Sequence, residues 1–97
     1  MTAISVIGLG YIGLPTAAIL AAQKIQVYGM DINQHIVDTI NRGFIHIVEP
    51  DLDILVHATV TEGYLQAATI AKAADIFIIA VPTPIKNDNK AIIGSAW

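Results

Sequence analysis

The chain has 97 residues, of which 55% are hydrophobic and 13% are charged, and its formal net charge is −3. This charged fraction is about half that of an ordinary globular domain and indicates a large buried interior, which excludes intrinsic disorder. The five Lys and Arg residues are scattered along the chain, so the basic surface typical of nucleic-acid-binding proteins is not expected. Because the chain contains no cysteine, disulfides, thiolate metal sites and a cysteine nucleophile are excluded for it.

The N-terminal stretch 1–23 carries no charged side chain, a feature shared with membrane segments and signal peptides. Gly8, Gly10, Gly13 and Pro15 interrupt it, however, and no positively charged region precedes its apolar part. A signal peptide requires such a region. We therefore expect no membrane segment here and a cytoplasmic location.

The first elements are well marked. A β-branched run over 3–7 predicts a strand that stops at Gly8. Apolar residues at helical spacing predict a helix over 11–22, and Pro15 in its first turns is tolerated there. A second strand is predicted over 25–30.

The middle of the chain reads as two further helices. Asn33 is a good N-terminal cap for a helix over 34–42, and Gly43 is a good residue to end it. An extended stretch over 44–50 follows, and a third helix begins at Pro50-Asp51 and continues up to Gly63.

The last part contains two predicted strands. The pattern predicts a weaker strand over 64–68, a short helix or turn over 69–74, and a strong strand over 75–81. The continuous apolar run of the last strand is typical of a strand buried on both faces. Residues 86–97 form a divergent tail with no predicted element.

This succession predicts an α/β fold with a Rossmann-type, doubly wound parallel sheet. We expect a truncated version of that fold, with about four strands in the order 3-2-1-4. The domain should cover residues 1–85, and the tail lies outside it.

A glycine-rich motif, Gly8-Leu9-Gly10-Tyr11-Ile12-Gly13, matches the pattern G-x-G-x-x-G. It follows a predicted strand and opens a predicted helix, which is the context in which this pattern binds a dinucleotide. Gly8 permits the tight turn, Gly10 lets a diphosphate approach the backbone, and Gly13 lets the helix pack closely on the sheet. The alternative is a glycine-rich turn that binds nothing.

Asp31 follows the second predicted strand, 18 residues after Gly13. An acidic residue at this place in a Rossmann fold accepts hydrogen bonds from the adenosine ribose. Its charge would repel a 2′-phosphate, so NAD is expected rather than NADP. The alternative is that Asp31 only caps the next helix, a role that Asn33 can also fill.

Thr83 lies in the segment Val81-Pro82-Thr83-Pro84, at the end of the last strong strand. Ligands of open α/β sheets bind beyond the carboxyl ends of the strands, so the Thr83 hydroxyl is a candidate cofactor contact. A rigid turn without ligand contact explains the same residues equally well.

The chain resembles the UDP-glucose/GDP-mannose dehydrogenase family over residues 3–85. The matching segments are Ile7–Pro15, Asp31–Asn33, Ile40–Gly43 with Ile47–Leu52, and Val81–Pro84. Members of this family oxidise the C6 hydroxyl of a nucleotide sugar to a carboxylate in two steps while two NAD are reduced. The resemblance thus implies NAD as cofactor, a nucleotide-sugar substrate and a homo-oligomeric full-length enzyme.

The resemblance also assigns site residues. Tyr11, Ile12, Asp31 and Thr83 match family positions that contact NAD, and Arg42 matches a position near the adenosine. The family's catalytic cysteine, lysine and asparagine lie beyond the numbering of this chain, so no catalytic residue is expected in it. After about residue 86 the resemblance breaks, which is the pattern of a truncated, frameshifted or excised product.

Two other functions remain open at this point. The chain could be a non-catalytic fragment, or the NAD-binding module of another Rossmann enzyme such as a hydroxyacid or 6-phosphogluconate dehydrogenase. FAD binding is compatible with the glycines alone. His35, His46 and His57 do not have a metal-ligand spacing, so no metal site is expected, and Glu49 is interpreted as part of a helix entry rather than as a catalytic acid.

Overall fold

The computed structural model describes residues 2–80 of the chain. Its elements, in chain order, are β1 (Ala3–Ile7), α1 (Gly13–Ala22), β2 (Gln26–Met30), α2 (Gln34–Asn41), α3 (Leu52–Thr61), β3 (Leu65–Ala68) and β4 (Ile76–Ile79). Every predicted strand and the three longer predicted helices are present, with ends that differ by a few residues at most. Within this part of the chain, no helix has the length and apolar character that crossing a bilayer requires.

The four strands form one parallel sheet in the order β3-β2-β1-β4. This confirms the predicted α/β class and the predicted strand order. In the register of the sheet, Ile7 pairs with Met30 of β2 and with Ile79 of β4. The carboxyl ends of β1, β2 and β4 therefore meet at one edge, where the chain turns from β1 into α1.

The helices cover one face of this sheet. Inward-facing side chains alternate along the strands, and those of Val6, Val27 and Leu65 are buried against the helices. The helical side of this core is formed mainly by Leu14, Ala17, Ala18, Ala21, Leu52 and Val56. Successive right-handed crossovers that move the same way across a sheet place their helices on the same face, which explains this arrangement.

The opposite face is much more open. Tyr28 and Phe77 flank Ser5 in the register of that face, and Phe77 is 51% exposed. The prediction that the last strand is buried on both faces is therefore wrong for the described residues. No helix among residues 2–80 lies on this face, because the crossovers before β3 all run in one direction.

The connection from β3 to β4 crosses this open face. This connection runs across the sheet in the direction opposite to that of the earlier crossovers. On the open face, the Lys72 Nζ lies 5.4 Å from the centroid of the Tyr28 ring. A short helix or turn was predicted over 69–74; the chain has a bend at 69–70 and no helix there. Ala68 and Ile76, the ends of this connection, are three strand spacings apart across the sheet and three residues apart along the strands, a distance of about 17 Å. The connection reaches about 26 Å when extended but only about 17 Å with a helix over 69–74, which leaves no length to pass over the face of the sheet.

The helix ends confirm the predicted signals. Gly43 and Gly63 follow α2 and α3 with φ of 85° and 88°, a left-handed conformation that glycine adopts without a Cβ penalty. The stretch predicted as extended, 44–50, contains no regular element. Asp51 begins α3 with a left-handed φ of 64°, a feature that the sequence pattern did not indicate.

Candidate functional site

The turn between β1 and α1 is built around two glycines. Gly8 has φ of 99°, and its N–H donates to the Met30 carbonyl at 2.7 Å. A Cβ on Gly13 would lie 1.6 Å from the Gly8 carbonyl oxygen, a separation that no real contact allows. The turn can therefore close only with glycine at position 13, as predicted for close packing of helix and strand.

Gly10 is different from the other glycines of the motif. Apart from the two adjoining residues, a Cβ at this position would meet no atom of the described part of the chain within 4 Å. Neither a left-handed φ nor internal packing therefore requires glycine at Gly10. The open space in front of it is where a ligand can reach the backbone, which is the reason predicted for this glycine.

Within residues 2–80, no side chain caps the N-terminus of α1. Ile12 is the N-cap residue, no side chain accepts a hydrogen bond there, and the first turn contains no acidic residue. The N–H groups of Tyr11, Ile12 and Gly13 donate to no other described residue. Tyr11 is 67% and Ile12 38% exposed. Unpaired donors and the positive end of the helix dipole together attract a negatively charged group.

Asp31 connects the end of β2 to the glycine turn. Its Oδ2 accepts the N–H of Leu9 at 3.0 Å, and its Oδ1 accepts the N–H of Asn33 at 3.0 Å. Asp31 does not cap the first turn of α2, because Asn33 Oδ1 accepts the N–H groups of His35 and Ile36 at 2.9 and 3.3 Å. The carboxylate is thus held beside the turn, with lone pairs left for further hydrogen bonds.

Two residues of this site were missed by the sequence analysis. Leu9 is fully buried and supplies the N–H that holds Asp31. Gly29, in β2, makes room for it, since a Cβ there would lie 2.8 Å from Leu9 Cδ2. A glycine inside a strand pattern is the signal that could have found this contact, because it marks a close approach of another part of the chain.

His46 lies in the connection between α2 and α3, and the spacing of the histidines gave no reason to select it. Burial lowers the pKa of its imidazole below the ordinary value; the Leu9 backbone and the Asp31 carboxylate oppose this effect, and His35 adds to it. Among the described residues no group of three or more His, Cys, Asp or Glu side chains could hold a metal ion. The carbonyl of Glu49 accepts the N–H of Leu52 at 3.2 Å, consistent with its interpretation as part of a helix entry.

One predicted site residue, Arg42, is not brought into this cluster. Arg42 is an exposed C-cap residue of α2. Its neighbour Asn41 makes two 2.9 Å hydrogen bonds to the backbone of Ala67 in β3, so Arg42 lies on the β3 side of the sheet edge. Thr83 lies outside the described residues.

The cluster fits a dinucleotide. The free space at Gly10 suits a diphosphate, the uncapped start of α1 supplies donors and a favourable dipole, and Asp31 offers acceptors one strand away. These features are the parts of a Rossmann dinucleotide site.

Comparison with known proteins identifies the same cofactor domain. Residues 2–95 match the family described as "UDP-glucose/GDP-mannose dehydrogenase family, NAD binding domain". A UDP-N-acetyl-D-mannosamine dehydrogenase of Campylobacter jejuni is 70% identical over 86 residues, which is 89% of this chain and 21% of that protein. An NDP-N-acetyl-D-galactosaminuronic acid dehydrogenase of Ralstonia nicotianae is 67% identical over 87 residues, covering 90% of this chain and 20% of that protein.

The fold agrees with a solved structure from this group. The UDP-N-acetyl-mannosamine dehydrogenase of Staphylococcus aureus superposes with a TM-score of 0.85 at 44% identity, over 90% of this chain and 21% of that one. The chain thus spans about a fifth of the length of these relatives. The glycine turn, the strand order and the matched residues show that the chain belongs to the UDP-glucose/GDP-mannose dehydrogenase family and corresponds to its NAD-binding domain.

Proposed function

We propose that the chain binds NAD at the glycine turn and serves as the cofactor site of a nucleotide-sugar 6-dehydrogenase. The observation that carries this proposal is the open space at Gly10 in front of the uncapped start of α1. No contact within the described residues explains glycine at that position, whereas an approaching diphosphate does.

Each part of the site has a separate task in this proposal. The N–H groups at the start of α1 hold the diphosphate, and the carboxylate of Asp31 accepts the ribose hydroxyls. Hydrogen bonds to a charged group contribute about 1.5–3 kcal/mol, and the same charge repels a 2′-phosphate. Tyr11 and Ile12, exposed beside the turn, contact the cofactor, while Arg42 and Thr83 are further candidate contacts. When bound, NAD supplies the hydride acceptor for oxidation of an alcohol.

The substrate is proposed from the relatives. The UDP-N-acetyl-D-mannosamine dehydrogenase of C. jejuni supports UDP-N-acetyl-D-mannosamine, oxidised at C6 to UDP-N-acetyl-D-mannosaminuronate with two NAD reduced. The galactosaminuronic acid dehydrogenase, at nearly equal identity, supports the view that this domain alone does not select the sugar. We place the reaction in the cytoplasm, in bacterial surface-polysaccharide synthesis, and in a homo-oligomeric enzyme. Catalytic and sugar-binding residues are proposed outside this chain.

The test compares NAD binding by the chain and by its Gly10→Ala variant. The added methyl has free space among the described residues, so thermal unfolding should stay unchanged. It occupies the diphosphate's path, so calorimetric titration should show at least a tenfold weaker NAD affinity, equivalent to about 1.4 kcal/mol. Equal NAD affinity of the two proteins would refute the placement of the diphosphate.

A second titration addresses cofactor choice. The chain should bind NAD more tightly than NADP and should not bind a UDP-sugar. The Asp31→Ser variant removes the charge, so NAD should bind more weakly and the difference between NAD and NADP should narrow. An unchanged preference would show that Asp31 does not select the cofactor.

A further inference from the structure

Gly29 lies inside β2, where a glycine weakens the strand because it has no side chain to pack. It is nevertheless buried, and it pairs with Val6 of β1 on one side and with Ala67 of β3 on the other. The strand is therefore held between two neighbours and cannot shift sideways. The absence of a side chain at this central position needs an explanation.

The side chain of Leu9 fills the space in front of Gly29. A Cβ added to Gly29 would lie 2.8 Å from Leu9 Cδ2, 3.0 Å from Cδ1 and 3.4 Å from Cγ, whereas carbon atoms in contact are usually about 3.5–4.0 Å apart. Both methyl groups of Leu9 face the strand, so turning the end of the side chain does not clear this contact. Because Leu9 is also fully buried, an added methyl group can be accommodated only if Leu9 itself moves.

The backbone of Leu9 connects this contact to the cofactor site. Its N–H donates to Asp31 Oδ2 at 3.0 Å, and the N–H of Asn33 donates to Oδ1 of the same carboxylate at 3.0 Å. Each oxygen is thus held by one backbone donor. The bond to Asn33 is local and persists if the glycine turn moves, whereas the bond to Leu9 joins residues 22 positions apart and does not. The orientation of the carboxylate therefore depends on the position of Leu9.

We infer that Leu9 and Gly29 determine the selection of NAD over NADP, because the packing of Leu9 on Gly29 fixes the Asp31 carboxylate. This inference rests on the ribose role proposed for Asp31. With both oxygens held, the carboxylate cannot turn away from a 2′-phosphate and repels it. Once the bond to Leu9 is lost, Asp31 keeps its charge but can turn away, and the phosphate fits better. Leu9 and Gly29 are positioning residues in this scheme, since they act on the cofactor through Asp31.

The experiment measures the ratio of the Kd for NADP to the Kd for NAD, by calorimetric titration of the full chain and of its Gly29→Ala variant. The ratio should fall by roughly threefold to tenfold in the variant, because part of one hydrogen bond to a charged group is lost. Val27→Ala is the matched control. Val27 is buried two residues earlier on the same face of β2, so this variant should lose stability but keep the ratio.

A second variant, Leu9→Ala, removes the side chain that Gly29 accommodates but keeps the N–H. The ratio should fall here as well, because the turn loses the packing that fixes it. In the double variant Leu9→Ala/Gly29→Ala, the methyl group added to β2 meets free space, so it should lower the ratio no further than Leu9→Ala alone. If Gly29→Ala had the same effect with Leu9 present and with Leu9 replaced, the two residues would act separately and the inference would be overturned.

Hydrogen exchange of the Leu9 amide, followed by NMR in the unmodified chain, tests the inference without any variant. This amide should be protected with NAD bound and should exchange faster with saturating NADP, since the carboxylate then turns away. The amide of Gly8, which donates to the Met30 carbonyl at 2.7 Å, is the internal reference and should be equally protected in both complexes.

Two results would overturn the inference while the NAD site stands: equal exchange of the Leu9 amide in the two complexes, or an unchanged ratio in Gly29→Ala. If the unmodified chain binds no NAD, the proposed function fails, and this inference fails with it.

Discussion

The helices α1 and α2 begin at the same edge of the sheet, after the neighbouring strands β1 and β2, but their first turns are completed differently. At α2 the side chain of Asn33 accepts two backbone N–H groups. At α1 no side chain of the described part of the chain accepts any, and the first turn has no acidic residue. Every helix start presents unpaired N–H groups. The protein therefore satisfies them at one helix and leaves them available at the other.

This difference distinguishes a helix start that serves the fold, at α2, from one that serves the binding site, at α1. A cap such as Asn33 contributes about 0.5–2 kcal/mol to stability, so its absence at α1 has a cost. The helix that lacks a cap is the one that starts at the turn with open space at Gly10, beside the carboxylate of Asp31. The uncapped helix start is thus explained by a ligand that completes it.

The largest expected loss of stability comes from Gly13→Ala, which disrupts the turn itself. The added Cβ would overlap the backbone oxygen of Gly8, and backbone atoms cannot move aside as a flexible side chain can. We expect a loss of about 3 kcal/mol or more in the free energy of unfolding, measured by chemical denaturation. Gly10→Ala, the same change three residues earlier, is the control and should be neutral. Similar stability of both variants would contradict the described turn.

A smaller effect is expected from Asn33→Ala at the capped helix. Two N–H groups of α2 lose their acceptor, so stability should fall by about 1 kcal/mol while NAD affinity changes little. Gln34→Ala removes a neighbouring amide that bonds only to the exposed Asp38 side chain and should cost much less. If both variants unfold at the same denaturant concentration, Asn33 is not a cap.

The smallest change in stability is expected from giving α1 the charge that it lacks. In Ile12→Asp, a carboxylate at the helix start should stabilise the fold by about 0.3–1 kcal/mol relative to Ile12→Asn, which has nearly the same shape without the charge. The same carboxylate should repel the diphosphate and weaken NAD binding more than it does in Ile12→Asn. Stronger or equal NAD binding by the charged variant would show that the anion binds elsewhere.

Local patterns predicted much of this molecule correctly. Helix caps and helix-ending glycines act within one turn of backbone, so Asn33, Gly43 and Gly63 could be interpreted from their neighbours alone. The strands have apolar runs that stop at polar or turn residues, and the order 3-2-1-4 follows from right-handed crossovers. The motif from Gly8 to Gly13 identified the binding turn because Gly8 and Gly13 meet steric requirements that the neighbouring backbone sets.

The failures concern segments that meet only in the folded chain. Of the short helix or turn predicted over 69–74, the helix is absent because the distance between β3 and β4 requires a largely extended chain, and that distance depends on where the other strands lie. The exposure of β4 depends on which face the crossovers cover, which its own apolar sequence cannot indicate.

The amino-acid sequence by itself determined the elements, the parallel order of the sheet, the glycine turn and the carboxylate that follows β2, because each depends on nearby residues or on chain chirality. Only the tertiary structure decided that Leu9 holds Asp31 and that Gly29 makes room for Leu9. Those contacts join residues 20 or more positions apart, and their geometry exists only once the strands have paired and the helices have packed on them.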